Sequence, residues 1–264
     1  MLILVEEGRG PDAERDPARM DAILDEHIRR YEREFPAPSE NVLARQVRDL
    51  REATRIFLTE QGELCREGSP MYLEASIGLP SEDPPTALDT RDPVTLTVPG
   101  DRSIRLRGRV DRVDRLNGAE SSSYAVWDYK TGSTYCYEQP DPFRQGRALQ
   151  HALYIRMVNR RLAEVAGPGA SVARFGYFFP GVRGLGRSVV RTPSQLADGD
   201  RILGLLCDII AGGSFLPTDD EDDCKYCDFR SICGDIGAVT QRSAVKLADE
   251  KNAELAAMRE LRGK

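Results

Sequence analysis

The chain has 264 residues, 40% of them apolar, with 43 acidic against 37 basic side chains and a net charge of -6 at pH 7. This is enough apolar content for a folded core, and the negative balance speaks against a strongly basic, nonspecific nucleic-acid binder, although local arginines or metals can still supply a positive field. There is no run of about 18 apolar residues, and Met1-Leu2-Ile3-Leu4-Val5 is too short and too quickly acidic for a secretory signal, so a cytoplasmic protein without a membrane partner is expected.

Residues 1–19 are rich in Gly, Pro, Asp and Arg and are expected to be poorly ordered. From Met20 to Leu64, apolar residues recur at helical spacing with a break at Pro36-Ala37-Pro38, which predicts two helices. A strand-rich section follows from Tyr72 to Tyr129. Its loop from Pro80 to Pro93 carries four prolines, Pro80, Pro84, Pro85 and Pro93.

Within that section Ser103–Leu116 alternates. Ile104, Leu106, Gly108 and Val110 fall on one face, and Arg105, Arg107, Arg109 and Asp111 on the other, as in a half-buried strand. The turn-like Asn117-Gly118 and a serine run then lead to Tyr124–Lys130, an apolar and aromatic segment stopped by Thr131-Gly132-Ser133. Two strands joined in this way can form a hairpin, which would make Asp111 and Asp128 neighbours. Carboxylates that converge share a proton or a metal. Arg109, Arg112 and Arg115 lie close by; they either meet phosphates or form a solvated strand face.

Asp128-Tyr129-Lys130 is the most informative segment. Side chains two apart on a strand point the same way, so Asp128 and Lys130 share a face. Lysine is used at only five of the 37 basic positions (130, 225, 246, 251 and 264), so a lysine at a strand end stands out. It is either a catalytic ammonium beside a metal-binding carboxylate or one half of a surface ion pair.

A helix is predicted from Gln150 to Val165. Gln150 and Tyr154, four apart, share one face and can hydrogen-bond a nucleotide or a metal-bound water, or else belong to an ordinary amphipathic helix. A strand over Ala173–Phe179, a glycine-rich turn over Gly181–Gly186, a helix over Ser194–Ile210 and a tail helix over Val239–Leu261 complete the pattern. No Gly-x-x-x-x-Gly-Lys phosphate loop occurs, so no ATPase is expected. Cys224, Cys227 and Cys233 form C-x2-C-x5-C, a spacing that can present thiolates to one metal centre. By itself this spacing does not separate zinc from an iron–sulfur cluster.

Taken in order, G-R-V-D-R-V-D (108–114), W-D-Y-K-T-G (127–132) and Q-H-A-L-Y (150–154) resemble the PD-(D/E)XK nuclease domain of RecB and AddB proteins. Pro70–Glu74 looks like the family's strand with a glutamate ahead of the first aspartate, and Tyr177-Phe178-Phe179 like its later core strand. The resemblance implies an α/β fold, a restriction-endonuclease-like mixed sheet flanked by helices, with a carboxy-terminal cysteine segment that binds metal. The implied organisation is an amino-terminal tail and helices (1–66), a nuclease core (67–216), a cysteine segment (217–236) and a tail helix (237–264).

It also implies a role for each residue. Asp111 and Asp128 would bind Mg2+ or Mn2+, Lys130 would orient water or stabilise the transition state, Gln150 and Tyr154 would position DNA, and Glu74 would act as an outer ligand. Cys224, Cys227 and Cys233 would hold a structural [4Fe–4S] cluster, with Zn2+ as the alternative. The implied partners are DNA and the helicase subunit of a helicase–nuclease that repairs double-strand breaks. The family's Cys-Pro segment and Gly-x-x-x-His helix have no match, since Ile23 stands four residues before His27. Cys65 is then either a substitute cluster ligand or an unrelated core cysteine, while Cys136 and Cys207 read as packing residues and His151 as a helix-surface residue or one supporting the site. The expectation is that the chain begins inside the usual domain. A catalytically silent module that binds DNA or a partner is the competing reading, and a zinc-binding structural module rests on the cysteines alone.

Overall fold

The computed structural model describes residues 11–81, 85–118 and 122–263. Among the described residues two helices come first, α1 (Pro17–Glu34) and α2 (Glu40–Glu67), separated at the expected proline break. Ser39 caps α2 by accepting from the Val42 N–H. The start is more ordered than expected where it is described. Asp16 is buried, accepts from the Asp12 N–H and is paired with Arg15.

The first compact unit comprises Met1–Leu96, Ile104–Pro142 and Gln150–Leu196. Among the described residues its sheet has five strands in the order β1 (Gly68–Ile77), β4 (Gly108–Leu116), β5 (Ser123–Tyr129), β6 (Ser171–Phe178) and β7 (Ser188–Arg191). All neighbours are antiparallel except β5 and β6, which are parallel and joined through helix α3 (Gln150–Val165). This is the mixed α/β sheet expected. A parallel pair needs a crossover, and α3 supplies it.

The two-residue period of β5 sorts its side chains between two faces. Ala125 and Trp127 join Phe178 in a core cluster against Phe57 and Leu64 of α2. On the opposite parity, Asp128 is in register with Tyr177 of β6, where the ring of Phe175 meets those of His151 and Tyr154 on α3. Gly176 is required beside Trp127, because a Cβ there would overlap the indole ring.

The stretch read as one strand from Ser103 to Leu116 is two. β3 (Arg102–Leu106) pairs with β2 (Val94–Val98) in a separate two-stranded sheet, and β4 begins at Gly108. Alternation continues unbroken through Arg107, so it cannot show a change of pairing partner. The short strand β7 was not expected.

The second unit comprises Thr97–Ser103, Phe143–Leu149 and Ala197–Lys264. Helix α4 (Gly199–Gly212) buries Ile202, Leu203, Leu205 and Ile209, and it ends on Gly213 in the left-handed region with φ 65°. The expected single tail helix is instead α6 (Ile236–Ala248) and α7 (Ala256–Arg262), preceded by the short α5 (Arg230–Cys233). Arg147 holds the segment before Cys224, with Nε 2.6 Å and Nη2 2.7 Å from the two Asp223 oxygens. Among the described residues, no helix is long and apolar enough to cross a membrane.

Candidate active site

The antiparallel register of β4 and β5 runs through Arg112–Trp127, so continuing it sets Asp111 beside Asp128 at the end of the hairpin. Asp111 Oδ2 accepts the Tyr129 N–H at 2.7 Å, which locks its carboxylate to the end of β5. Asp128 is 3% exposed. Lys130 Nζ lies 2.5 Å from Asp128 Oδ2 as an ion pair, and it donates to Gln150 Oε1 at 3.0 Å. Gln150 Nε2 donates to Asp128 Oδ1 at 2.6 Å. Gln150 therefore bridges the carboxylate and the ammonium from the first turn of α3.

Burial raises the Asp128 carboxyl above its ordinary value, and the nearby Asp111 charge adds to this, while Lys130 and Gln150 oppose it. Burial acts to lower the Lys130 ammonium, but the Asp128 ion pair outweighs it and leaves Lys130 above its ordinary value.

The remaining expected residues fall in different places. Tyr154 donates its hydroxyl to the Arg109 carbonyl at 2.9 Å, so it anchors the strand that carries Asp111. Glu74 lies between the pairs Leu73–Arg112 and Ala75–Val110, across from Asp111, with φ 51°. A glutamate in the left-handed region within a strand carries backbone strain, a feature that clusters at functional sites.

Arg112 is not available to phosphate. It is wholly buried, on the strand parity opposite to Asp111, with Nε 2.5 Å and Nη2 2.6 Å from the oxygens of buried Asp114. Gln61 of α2 and the Tyr129 hydroxyl complete this cluster. Burial raises the Tyr129 phenol, against the pull of Arg112, to about 12. Cys65 also lies here, half-buried, with Sγ 3.9 Å from Arg112 Nη2. Arg109 keeps the parity of Asp111 and donates to Ser76 Oγ at 3.3 Å.

His151 is buried, not on the helix surface, with Nδ1 3.1 Å from the Tyr177 hydroxyl. Burial and the Arg191 charge push its pKa down to about 4. The unfolded chain therefore binds a proton near pH 6.5 that the folded chain refuses until about pH 4. The stabilisation is full above pH 6.5 and is lost as the pH falls toward 4, about 3 kcal/mol in all at 1.36 kcal/mol per unit. Calorimetric melts across this window should show the loss, and His151→Gln should flatten that part of the profile.

Tyr177 was noted in the sequence only as part of a core strand, yet it lies beside the site. The signal was its place in β6, but only the parallel register with β5 sets it next to Asp128. Cys136 is exposed, not a packing residue. Cys224 is half-buried, Cys227 and Cys233 are exposed, and all are free thiols. Among the described residues, no three His, Cys, Asp or Glu side chains are gathered as a metal-ligand set.

The model of the PD-(D/E)XK nuclease superfamily matches residues 3–234. The chain is also 32% identical over 143 residues to one subunit of the ATP-dependent helicase/deoxyribonuclease of Symbiobacterium thermophilum, an alignment covering 53% of this chain and 11% of that protein. The aspartates, the lysine and the glutamine that meet at the end of β5 lie within the matched region, and the chain belongs to the PD-(D/E)XK nuclease superfamily.

Proposed function

We propose that this chain hydrolyses DNA phosphodiester bonds with Mg2+ or Mn2+, as the nuclease part of a cytoplasmic helicase–nuclease that processes double-strand breaks. The observation that carries this reading is the set of Asp111, Asp128, Lys130 and Gln150 at one strand end. Asp111 and Asp128 offer hard oxygen donors side by side at one strand end, and that donor chemistry fits a hard divalent cation. The two aspartates would hold it, with Glu74 as an outer ligand. The chemistry such an ion supplies is a lowered pKa for water and compensation of phosphate charge. Lys130 meets the negative charge that develops on the phosphate. Gln150 fixes Lys130 against Asp128, and Tyr154 keeps β4 in place through the Arg109 carbonyl. DNA and a helicase subunit are the partners in this reading.

The test begins with the wild-type protein, which should degrade linear DNA when Mg2+ or Mn2+ is added. DNA binding without cleavage would favour the catalytically silent module. Asp111→Asn keeps the side chain's shape and removes its charge. It should weaken Mn2+ binding in calorimetric titration by at least about tenfold, since outer partners alone are worth 10–100-fold. Unchanged affinity would remove Asp111 from the ligand set.

We further propose a structural [4Fe–4S] cluster on Cys224, Cys227 and Cys233, with a fourth ligand at Cys65 or outside this chain. The support for it is the spacing of the cysteines, and no step of the reaction runs through it. Protein purified without oxygen should contain iron and be brown, and Cys65→Ser should bleach it if Cys65 is the fourth ligand. Zinc in place of iron would replace the cluster with the zinc alternative.

A further inference from the structure

We infer that Tyr177 is a positioning residue that holds Lys130 and Gln150 in their working arrangement, an inference that rests on the nuclease reading above. Two contacts of its side chain and the register of its backbone meet at this one residue. Its ring lies below the ammonium, 5.8 Å from Lys130 Nζ. Its hydroxyl is 3.1 Å from His151 Nδ1. Its backbone is in register with Asp128 in the neighbouring strand.

Each side-chain contact has a physical consequence. An ammonium within about 6 Å of an aromatic face is attracted to the ring quadrupole, more strongly where water is scarce. Tyr177 is 5% exposed, so its ring face is shielded. His151 is the second residue of α3, so the Tyr177 hydroxyl at its imidazole tethers the helix start that carries Gln150. Gln150 in turn contacts both Lys130 and Asp128. Tyr177 therefore restrains Lys130 directly through its ring and indirectly through α3.

The ring itself is held on two sides. Tyr137 lies 4.4 Å away and Phe175 4.9 Å away, centroid to centroid. Arg191 Nη2 donates to the carbonyls of Tyr137 and Gln139, at 2.9 and 3.2 Å, and so fastens the segment that carries Tyr137. A side chain braced in this way can hold others within the sub-ångström tolerance that catalysis demands, where a misplacement of about 1 Å can cost 10²-fold in rate.

The test uses Tyr177→Phe and Tyr177→Leu in the full chain, with two readouts. Tyr177→Phe keeps the ring and loses the hydroxyl; kcat should fall about fivefold to tenfold with KM for linear DNA unchanged. Tyr177→Leu loses both, and kcat should fall about 10²-fold, again at constant KM. Partial rescue by Phe relative to Leu separates the ring's effect from the hydroxyl's. A folded Leu variant with kcat within about twofold of wild type would overturn the inference.

The second readout does not need activity. With lysine labelled at Cε, a chain of five lysines gives few signals, and Lys130→Arg identifies the one of interest. That signal should carry a ring-current displacement in wild type and Tyr177→Phe, and lose it in Tyr177→Leu. A signal that does not change in the Leu variant would overturn the ring contact. If Tyr177→Leu fails to fold, Tyr177→Phe decides by itself, because a kcat equal to wild type would overturn the hydroxyl tether. If wild type proves inactive with every metal, the nuclease reading fails, whereas the lysine signal still decides the contact.

Discussion

Lys130→Ala is expected to cut the rate of DNA hydrolysis by about 10²–10³-fold while leaving the protein folded. This is the usual cost of removing one group aimed at charge that develops in the transition state. Lys130 stands at the end of β5 with Asp128 Oδ2 2.5 Å and Gln150 Oε1 3.0 Å away. Its side chain is 25% exposed, at the open end of the strand, so truncation leaves the core packing of β5 intact. The loss should appear in kcat, because the ammonium acts on charge that the ground state lacks. Single-turnover cleavage of linear DNA measures the loss, and a melt of the same sample confirms the fold. Equal rates in wild type and variant would take Lys130 out of the chemistry.

The second large effect concerns stability. Arg112→Met should destabilise the first unit by about 3–5 kcal/mol, because it leaves Asp114 buried without its cation. Both side chains are almost completely inaccessible, at 0% and 2%. The double variant Arg112→Met/Asp114→Leu should recover most of the loss, since well-packed apolar residues commonly replace a buried ion pair at little cost. Urea unfolding followed by tryptophan fluorescence is well suited to this test. Trp127 is the only tryptophan in the chain and pairs with Arg112 across β4 and β5, so it reports on this sheet. If the single and double variants are equally unstable, Arg112 contributes something other than neutralisation of Asp114.

Much of the fold was legible in the sequence because local periodicity carried it. The apolar spacing of α1 and α2, the helix from Gln150 to Val165 and the apolar run of β5 are signals of one element each, and each element formed where its pattern lay. The shared face of Asp128 and Lys130 followed from the two-residue strand period alone, and their ion pair is its result. The same period separates Arg112 from Asp111 and Arg109, since odd and even positions of a strand face opposite ways.

Pairing between distant segments was not legible, because the partner of a strand is chosen by contacts far apart in the chain. The break at Arg107 depends on β3 joining β2 and β4 joining β1 and β5, while the hydrophobic alternation runs across it unchanged. The place of Tyr177 beside Lys130 depends on a parallel register between β5 and β6, and that register exists only once α3 has crossed the sheet. Burial of His151 needs the same crossover, which turns a polar helix position inward onto a tyrosine hydroxyl. The sequence by itself determined which charged groups share the end of β5. Only the tertiary structure decided which neighbours hold them there, because side chains that brace one another need not be close in the chain.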